Sequence, residues 1–181
     1  PESTEQRIQY KRYLHQTEMW SPASVFYKDR RAASKSLAAL MGGEVFDFPK
    51  DVEVLARYIG TMTSPSDVVM DFFAGSGTTG HAVIAQNSVD GGNRRYILVQ
   101  LPEPLDAENK EQKTAAAFCD KLKKPRTIAE LTKERLRRAA KKIKEENPMF
   151  AGDIGFRVFK LDSSNIRTWE PDRDDLPKTL E

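Results

Sequence analysis

Val68-Val69-Met70-Asp71-Phe72-Phe73-Ala74-Gly75-Ser76-Gly77-Thr78-Thr79-Gly80 is the stretch on which the fold turns. Val68-Val69-Met70 is a short continuous apolar run, the pattern of a strand covered on both faces. It leads into Gly75, Gly77 and Gly80, spaced G-x-G-x-x-G. In such a turn the first glycine permits tight reversal, the second lets the backbone approach a ligand, and the third allows close contact between helix and strand. Asp71 sits at the C-terminal edge of the strand, where ligands of open α/β sheets bind, and an acidic group there suits a cationic ligand. A lone G-x-G-x-x-G also occurs as a glycine-rich turn without a ligand, so the preceding strand and Asp71 carry the argument. No Lys follows the glycines, which disfavours a triphosphate-binding P-loop.

Downstream, residues 78 to 87 predict a helix, Asp90-Gly91-Gly92-Asn93 a turn, and Tyr96-Ile97-Leu98-Val99 a second buried strand. Strand, helix, strand is a βαβ unit, which closes right-handed with parallel strands and predicts a three-layer α/β arrangement. Upstream, Ala32, Ala33, Leu37 and Leu40 suit a helix from Arg30 that stops at Met41, before Gly42-Gly43. Val45-Phe46-Asp47-Phe48 alternates like a short extended segment. Pro49 then opens a helix with the stripe Val52, Leu55, Ala56 and Ile59, closed by Gly60. Ser64-Pro65-Ser66 is a turn, and residues 3 to 18 form a helix or arm with only Ile8, Tyr10 and Leu14 apolar.

After Pro102 and Pro104 the chain becomes charged and alanine-rich. Thr127 to Glu146 reads as one long helix. Ile128, Leu131, Leu136, Ala139 and Ile143 point inward, and Lys133, Arg137, Lys141 and Lys144 outward. Asn147-Pro148 ends it, Phe156 to Lys160 alternates as a half-exposed strand, and the chain beyond Trp169 reads as a tail. Trp20 and Trp169 are assigned to packing. Arg135, Arg137, Arg138, Lys141 and Lys142 lie close together, interleaved with Glu130, Glu134, Glu145 and Glu146. Such a face is ordinarily a solvated surface; the sharper reading makes Arg137, Arg138 and Lys141 contacts to DNA phosphates.

The 29 Lys and Arg against 27 Asp and Glu leave a net charge of +2, which neither demands nor excludes a nucleic-acid partner. Cys119 is the single cysteine, so no intrachain disulfide forms, and no Cys or His set has metal-ligand spacing; no metal is expected. His15 and His81 are assigned surface or local structural roles. No apolar run approaches the roughly 18 residues of a membrane-spanning helix, and no signal-peptide pattern opens the chain. A cytoplasmic location is the expectation. The chain opens at Pro1 rather than Met, which reads as a fragment.

The run Asp71-Phe72-Phe73-Ala74-Gly75-Ser76-Gly77-Thr78-Thr79 resembles the cofactor motif of the amino-methyltransferases that act on DNA bases, usually Asp-Pro-Phe-x-Gly-Ser-Gly-Thr-Thr. Phe72 in place of Pro is similar to the modification subunits of type III restriction-modification systems. Phe46-Asp47-Phe48-Pro49-Lys50 and the helix through Ile59 resemble the second cofactor motif, where a helix N-terminus faces the methionine carboxylate. Asp51 stands where many relatives have Pro. Asn93 to Gln100 resembles the second strand, with Gln100 at the place of an acidic residue that accepts from the ribose hydroxyls, and Glu103 as the fallback.

The resemblance implies a partial, truncated Rossmann-like sheet of the S-adenosylmethionine-dependent methyltransferase kind with a mostly helical C-terminal extension. Residues 1–19 are an arm, 20–104 the cofactor-binding half, and 105–181 the extension with a short strand and tail. It implies that S-adenosylmethionine is held by Asp71, Phe72, Phe73, Ala74, Gly75, Ser76, Gly77, Thr78 and Thr79, with Pro49, Lys50 and Gln100 as lesser contributors. The implied reaction of the intact protein is methyl transfer to adenine N6 in DNA. The implied partners are DNA, a second modification subunit and a helicase-endonuclease restriction subunit. The catalytic Asp/Asn/Ser-Pro-Pro-aromatic motif, which holds an extruded base, does not occur in this sequence, so no catalytic residue is assigned and no methyl transfer by this chain alone is expected. A strand cut off from its neighbours in the catalytic half would leave an open edge, so self-association or weak stability is expected. Two other readings stand beside this one. One is a dinucleotide-dependent oxidoreductase, weakened by Gln100 where a ribose-binding acid belongs. The other is a non-catalytic DNA-binding or assembly module built on the charged C-terminal region.

Overall fold

A computed structural model describes residue 25 and residues 28–161 of the chain. The arm at 3 to 18, the tail beyond Trp169, Trp20 and His15 lie outside the described residues. The elements run α1 (Arg30–Met41), α2 (Val52–Met62), β1 (Val68–Asp71), α3 (Thr78–Asp90), β2 (Arg95–Leu98), α4 (Lys113–Lys121) and α5 (Ile128–Glu146). Asp29 caps α1 by accepting from Arg31 N–H, and Gly42, at φ 75°, ends it in the left-handed conformation that glycine adopts without strain. Asp51 caps α2, and Gly91 closes α3 at φ 68°.

The βαβ unit forms as the sequence indicates. β1 and β2 pair in parallel, with Val68 opposite Arg95, Val69 opposite Tyr96, Met70 opposite Ile97 and Asp71 opposite Leu98. The strands are not buried on both faces, however. Val69, Tyr96 and Leu98 turn toward the helices, whereas Val68, Met70, Ile97 and Val99 are exposed. Among the described residues the helices cover one side of a two-stranded sheet, so the third layer expected from the sequence is not seen there. The apolar runs form strands, and among the described residues one face of each is covered.

Three apolar clusters hold the layers together. Ile59 of α2 meets Ala82 and Val83 of α3, with Val69 and Tyr96 of the sheet packed against them. Ile84 of α3 meets Ile143 of α5 and Phe150. Leu37 and Met41 of α1, Ala115, Ala116 and Cys119 of α4, and Leu131 of α5 form the third cluster. α4 was not anticipated, because Lys113 to Lys121 offers three alanines and one phenylalanine where an amphipathic stripe would need larger residues. A buried polar clamp closes the return into β2. Asn87 donates to Arg94 O at 2.9 Å and accepts from Arg94 N–H at 3.1 Å, while the Arg94 guanidinium binds Asp90 and Thr63.

Three local expectations are corrected. Gly60 does not end α2, which continues to Met62; its missing side chain instead makes room for Gln86 of α3, which a Cβ would meet at 2.7 Å. Val45 to Phe48 is not an extended segment: Phe46 to Phe48 are bends, with Phe48 at φ 50° and 82% exposed. Phe156 to Lys160 forms no strand, because no other described strand lies beside it to complete a ladder; Phe156 packs under the Arg137 guanidinium instead. None of the described helices is long and apolar enough to cross a membrane.

Candidate functional site

The turn after β1 is organised from three directions. From β1, the Asp71 carboxylate accepts from Phe73 N–H at 3.0 Å and from the Thr79 hydroxyl at 2.6 Å, spanning the loop from its first residue to the first turn of α3. From the end of β2, Gln100 Oε1 accepts from Gly75 N–H at 2.7 Å and Val99 O accepts from Ala74 N–H at 3.0 Å. From α5, the Thr132 hydroxyl donates to Gly75 O at 2.5 Å. Arg135 Nη1 donates to the Ser76 hydroxyl at 2.5 Å and to the Thr78 hydroxyl at 2.7 Å.

The glycines are required here for identifiable reasons. Gly75 and Gly77 have φ 51° and 78°, a region costly for residues with a Cβ. A Cβ at Gly80 would meet Leu136 Cδ2 at 2.8 Å and Leu98 Cδ1 at 3.0 Å, so the third glycine does seat helix against strand and α5. The second glycine departs from the expectation of ligand approach: a Cβ on Gly77 would strike Thr132 Cγ2 at 2.9 Å, so a protein helix occupies that side. The open surface of the turn is therefore the opposite one, toward the strand ends, where Phe72 is exposed and Phe73 is 90% exposed.

The two segments singled out around Phe46 to Lys50 and Asp71 to Thr79 come together, since the Phe46 ring lies against Gly75, 3.3 Å from where a Cβ would stand. Ala74, Ser76, Gly77 and Thr78 are buried in the loop, as is Pro49, while Lys50 is exposed. The N-terminus of α2 carries its own anion. Asp51 Oδ1 accepts from Glu53 N–H and Val54 N–H at 2.9 and 3.1 Å, and Lys28 bridges Asp51 and Glu53 at 3.2 and 2.5 Å. Gln100, expected as a ribose acceptor, spends one lone pair of its amide oxygen on Gly75 N–H and donates to Leu101 O, which leaves one acceptor position. Glu103 is exposed, and its carbonyl accepts from Ile128 N–H at 3.2 Å.

Arg135 was placed with the surface basic cluster by its sequence neighbours; it is buried, with 2% of its surface exposed. Its burial follows from Leu131 and Ala139 four residues to either side on the inward face of α5. That spacing is the signal in the sequence that marks Arg135 as inward-facing despite its charge. Burial lowers its pKa to about 10, which keeps it cationic at neutral pH. His81, at the second turn of α3, is pushed down to about 3 by burial and by the charges of Arg135 and Lys142, and is therefore neutral. A cavity of about 200 Å³ lined by His81, Arg135, Lys50 and Asp51 lies between α1 and these helices.

The remaining basic residues are engaged locally. Arg138 donates to Glu134 at 2.7 Å and to Met41 O at 2.7 Å, Arg137 lies 3.7 Å from Glu134, and Lys141 lies 3.8 Å from Glu145. Among the described residues no three His, Cys, Asp or Glu side chains are grouped to hold a metal.

A family model described as DNA methylase matches residues 1–101, which include the whole loop and both strands. The chain belongs to the DNA methylase family. It is 36% identical over 138 residues to the type III restriction-modification enzyme StyLTI Mod subunit of Salmonella typhimurium, covering 76% of this chain and 20% of that protein. It is 33% identical over 141 residues to the EcoP15I Mod subunit of Escherichia coli, covering 77% of this chain and 19% of that one. The type II methyltransferase M.KpnI of Klebsiella pneumoniae is 40% identical over 87 residues, 48% of this chain and 20% of its own length. The chain thus spans about a fifth of the length of these curated relatives. The turn between β1 and α3 is fastened from β1, from the end of β2 and from α5, the last of which lies beyond the residues that the family model matches.

Proposed function

We propose that this chain is the S-adenosylmethionine-binding portion of a DNA adenine-N6 methyltransferase of the type III modification kind. The observation that carries it is the loop at the C-terminal end of β1, with Asp71 and Gln100 converging from the two strand ends on Gly75 to Thr79. When bound, S-adenosylmethionine would supply a methyl group on a positively charged sulfur.

The residues present fit that ligand at the strand ends. The Asp71 carboxylate places negative charge beside the loop, and Gln100 keeps an oxygen lone pair for a hydroxyl. The exposed Phe72 and Phe73 rings supply apolar surface for a flat heterocycle, and Lys50 supplies a cation for a carboxylate. The α2 N-terminus fits less well, because Asp51 already satisfies two of its N–H groups, so carboxylate recognition rests on Lys50 rather than on free helix amides. A dinucleotide would bring two phosphates against Asp71 and would need an acid where Gln100 stands, both unfavourable.

On this reading residues 20–104 form the cofactor half and residues 105–181 an extension, and base extrusion and methyl transfer require a catalytic segment outside this sequence. DNA, a second modification subunit and a restriction subunit are the proposed partners of the whole protein. The names of the type III relatives support this. The exposed apolar row Val68, Met70, Ile97 and Val99 supports the expectation that this chain alone self-associates, which sedimentation over a concentration series reads directly. Calorimetric titration with S-adenosylhomocysteine tests the central reading. Binding that is lost in Asp71→Ala, with no binding of NAD, is expected. Binding of NAD, or of neither ligand, refutes the reading that this chain holds the cofactor.

A further inference from the structure

Arg135 is a buried cation with no anionic partner among the described residues. None of their carboxylates forms a salt bridge with it, and its buried Nε has no hydrogen-bond partner among them. Its polar contacts are the Ser76 and Thr78 hydroxyls and, more distantly, Ser76 O at 3.4 Å. Burying an unpaired charge costs stability, and an apolar side chain of similar volume would avoid that cost. A residue that weakens the core while aiming every donor it uses at one loop is better explained by what it does to the loop.

We infer that Arg135 is a positioning residue: from α5, outside the residues matched by the family, it fixes the conformation of Gly75 to Thr78 and thereby sets the affinity of the loop for its cofactor. The proposal rests on the reading that this loop binds S-adenosylmethionine. Both Nη1 hydrogens are engaged, one on each hydroxyl, and the hydroxyls lie 3.1 Å apart and share one hydrogen between them. The second hydroxyl hydrogen remains free to donate. A hydroxyl that accepts from a guanidinium is a stronger donor, because donor and acceptor polarise one another along a hydrogen-bonded chain. Arg135 thus locks the two side chains behind the loop and, with Thr132 holding Gly75 O, keeps Gly75 and Gly77 at positive φ while the front of the turn stays open.

The test uses the full chain with Arg135→Met and Arg135→Lys, measuring amide hydrogen exchange, thermal midpoint and S-adenosylhomocysteine affinity. In Arg135→Met the thermal midpoint is expected to hold or rise. Exchange across residues 74–79 should accelerate about tenfold or more, the scale of a lost hydrogen bond from a charged donor, and affinity should fall by a similar factor. Arg135→Lys, which keeps a charged donor on a flexible stem, should recover part of both losses. A merely structural role predicts a lowered midpoint with the loop no more affected than the rest of α5, and that result overturns the proposal. Unchanged loop exchange in Arg135→Met with cofactor binding intact also overturns it and leaves the cofactor reading standing. Faster loop exchange in a chain whose parent binds no S-adenosylhomocysteine supports the clasp on the loop and refutes the cofactor reading.

Discussion

Replacing Gly77 by Ala tests how the loop is built. The residue has φ 78°, and the left-handed conformation costs an L-residue about 1–2 kcal/mol. The new Cβ would stand 2.9 Å from Thr132 Cγ2. Thr132 cannot rotate away freely, since its hydroxyl donates to Gly75 O and also contacts Ile128 O at 3.1 Å. Relieving the clash by shifting backbone belongs to the overpacking class, about 1–3 kcal/mol. The sum, about 2–5 kcal/mol, is a large share of the roughly 5–15 kcal/mol that stabilises an ordinary domain. Urea unfolding followed by circular dichroism measures it. The two contributions separate in a double-mutant cycle, because Thr132→Ser keeps the hydroxyl and removes the methyl. In that background Gly77→Ala should cost only the conformational part. A cost below about 0.5 kcal/mol in the parent chain, within the range of ordinary surface substitutions, or an identical cost in both backgrounds, would refute the reasoning.

Three further outcomes are expected. Because the folded pKa of His81 lies near 3 and the unfolded one near 6.5, the unfolded chain binds the extra proton between those values, so stability falls as pH drops through that window. The loss amounts to about 2 kcal/mol between pH 6.5 and 5. Urea midpoints at the two pH values should show this slope in the parent and a flatter one in His81→Gln; equal slopes would sink it. Asn87→Leu leaves Arg94 N–H and O buried without their partner and should cost about 2–4 kcal/mol in urea unfolding, roughly one to two unsatisfied groups. Gln100→Ala removes the acceptor of Gly75 N–H and should weaken S-adenosylhomocysteine binding at least several-fold in calorimetry, while an unchanged Kd would show that Val99, Thr132 and Arg135 hold the loop without it.

Local signals made much of the fold legible. The run Val68 to Met70, the glycines at 75, 77 and 80, and the turn at Asp90 to Asn93 each specify backbone geometry within a few residues, and β1, α3 and β2 follow them closely. α1 and α5 were equally readable, from Gly42 at one end and from regular spacing of Leu131, Leu136, Ala139 and Ile143 at the other. What escaped depends on contacts distant in the chain. Gly60 looks like a stop signal until α3 is laid against it, and Gly77 looks like a ligand approach until Thr132 arrives. The apolar runs of β1 and β2 specify a strand but not which layers cover it. Of the site, Asp71 to Thr79 and Gln100 were recognised from sequence and lie together, although Gln100 is turned partly onto the loop itself. The burial of Arg135 is legible in its spacing from Leu131 and Ala139, but its role is not, because that is set by hydroxyls far away in sequence.

The fastening of the loop from α5 also sets an order of events during synthesis. Ser76 and Thr78 leave the ribosome 57 to 59 residues before Arg135, and Gly75 precedes Thr132 by 57. At translation rates of about 5–20 residues per second, the finished turn waits roughly 3–12 s for the helix that completes it. During that interval α3 can be wound and β2 added, so the loop gains its bonds to Asp71, Val99 and Gln100 while the side facing α5 is still met only by water. A nascent chain stalled before residue 132 should therefore carry the glycine motif fastened from the strand ends and still unfastened at Gly75 O, Ser76 and Thr78.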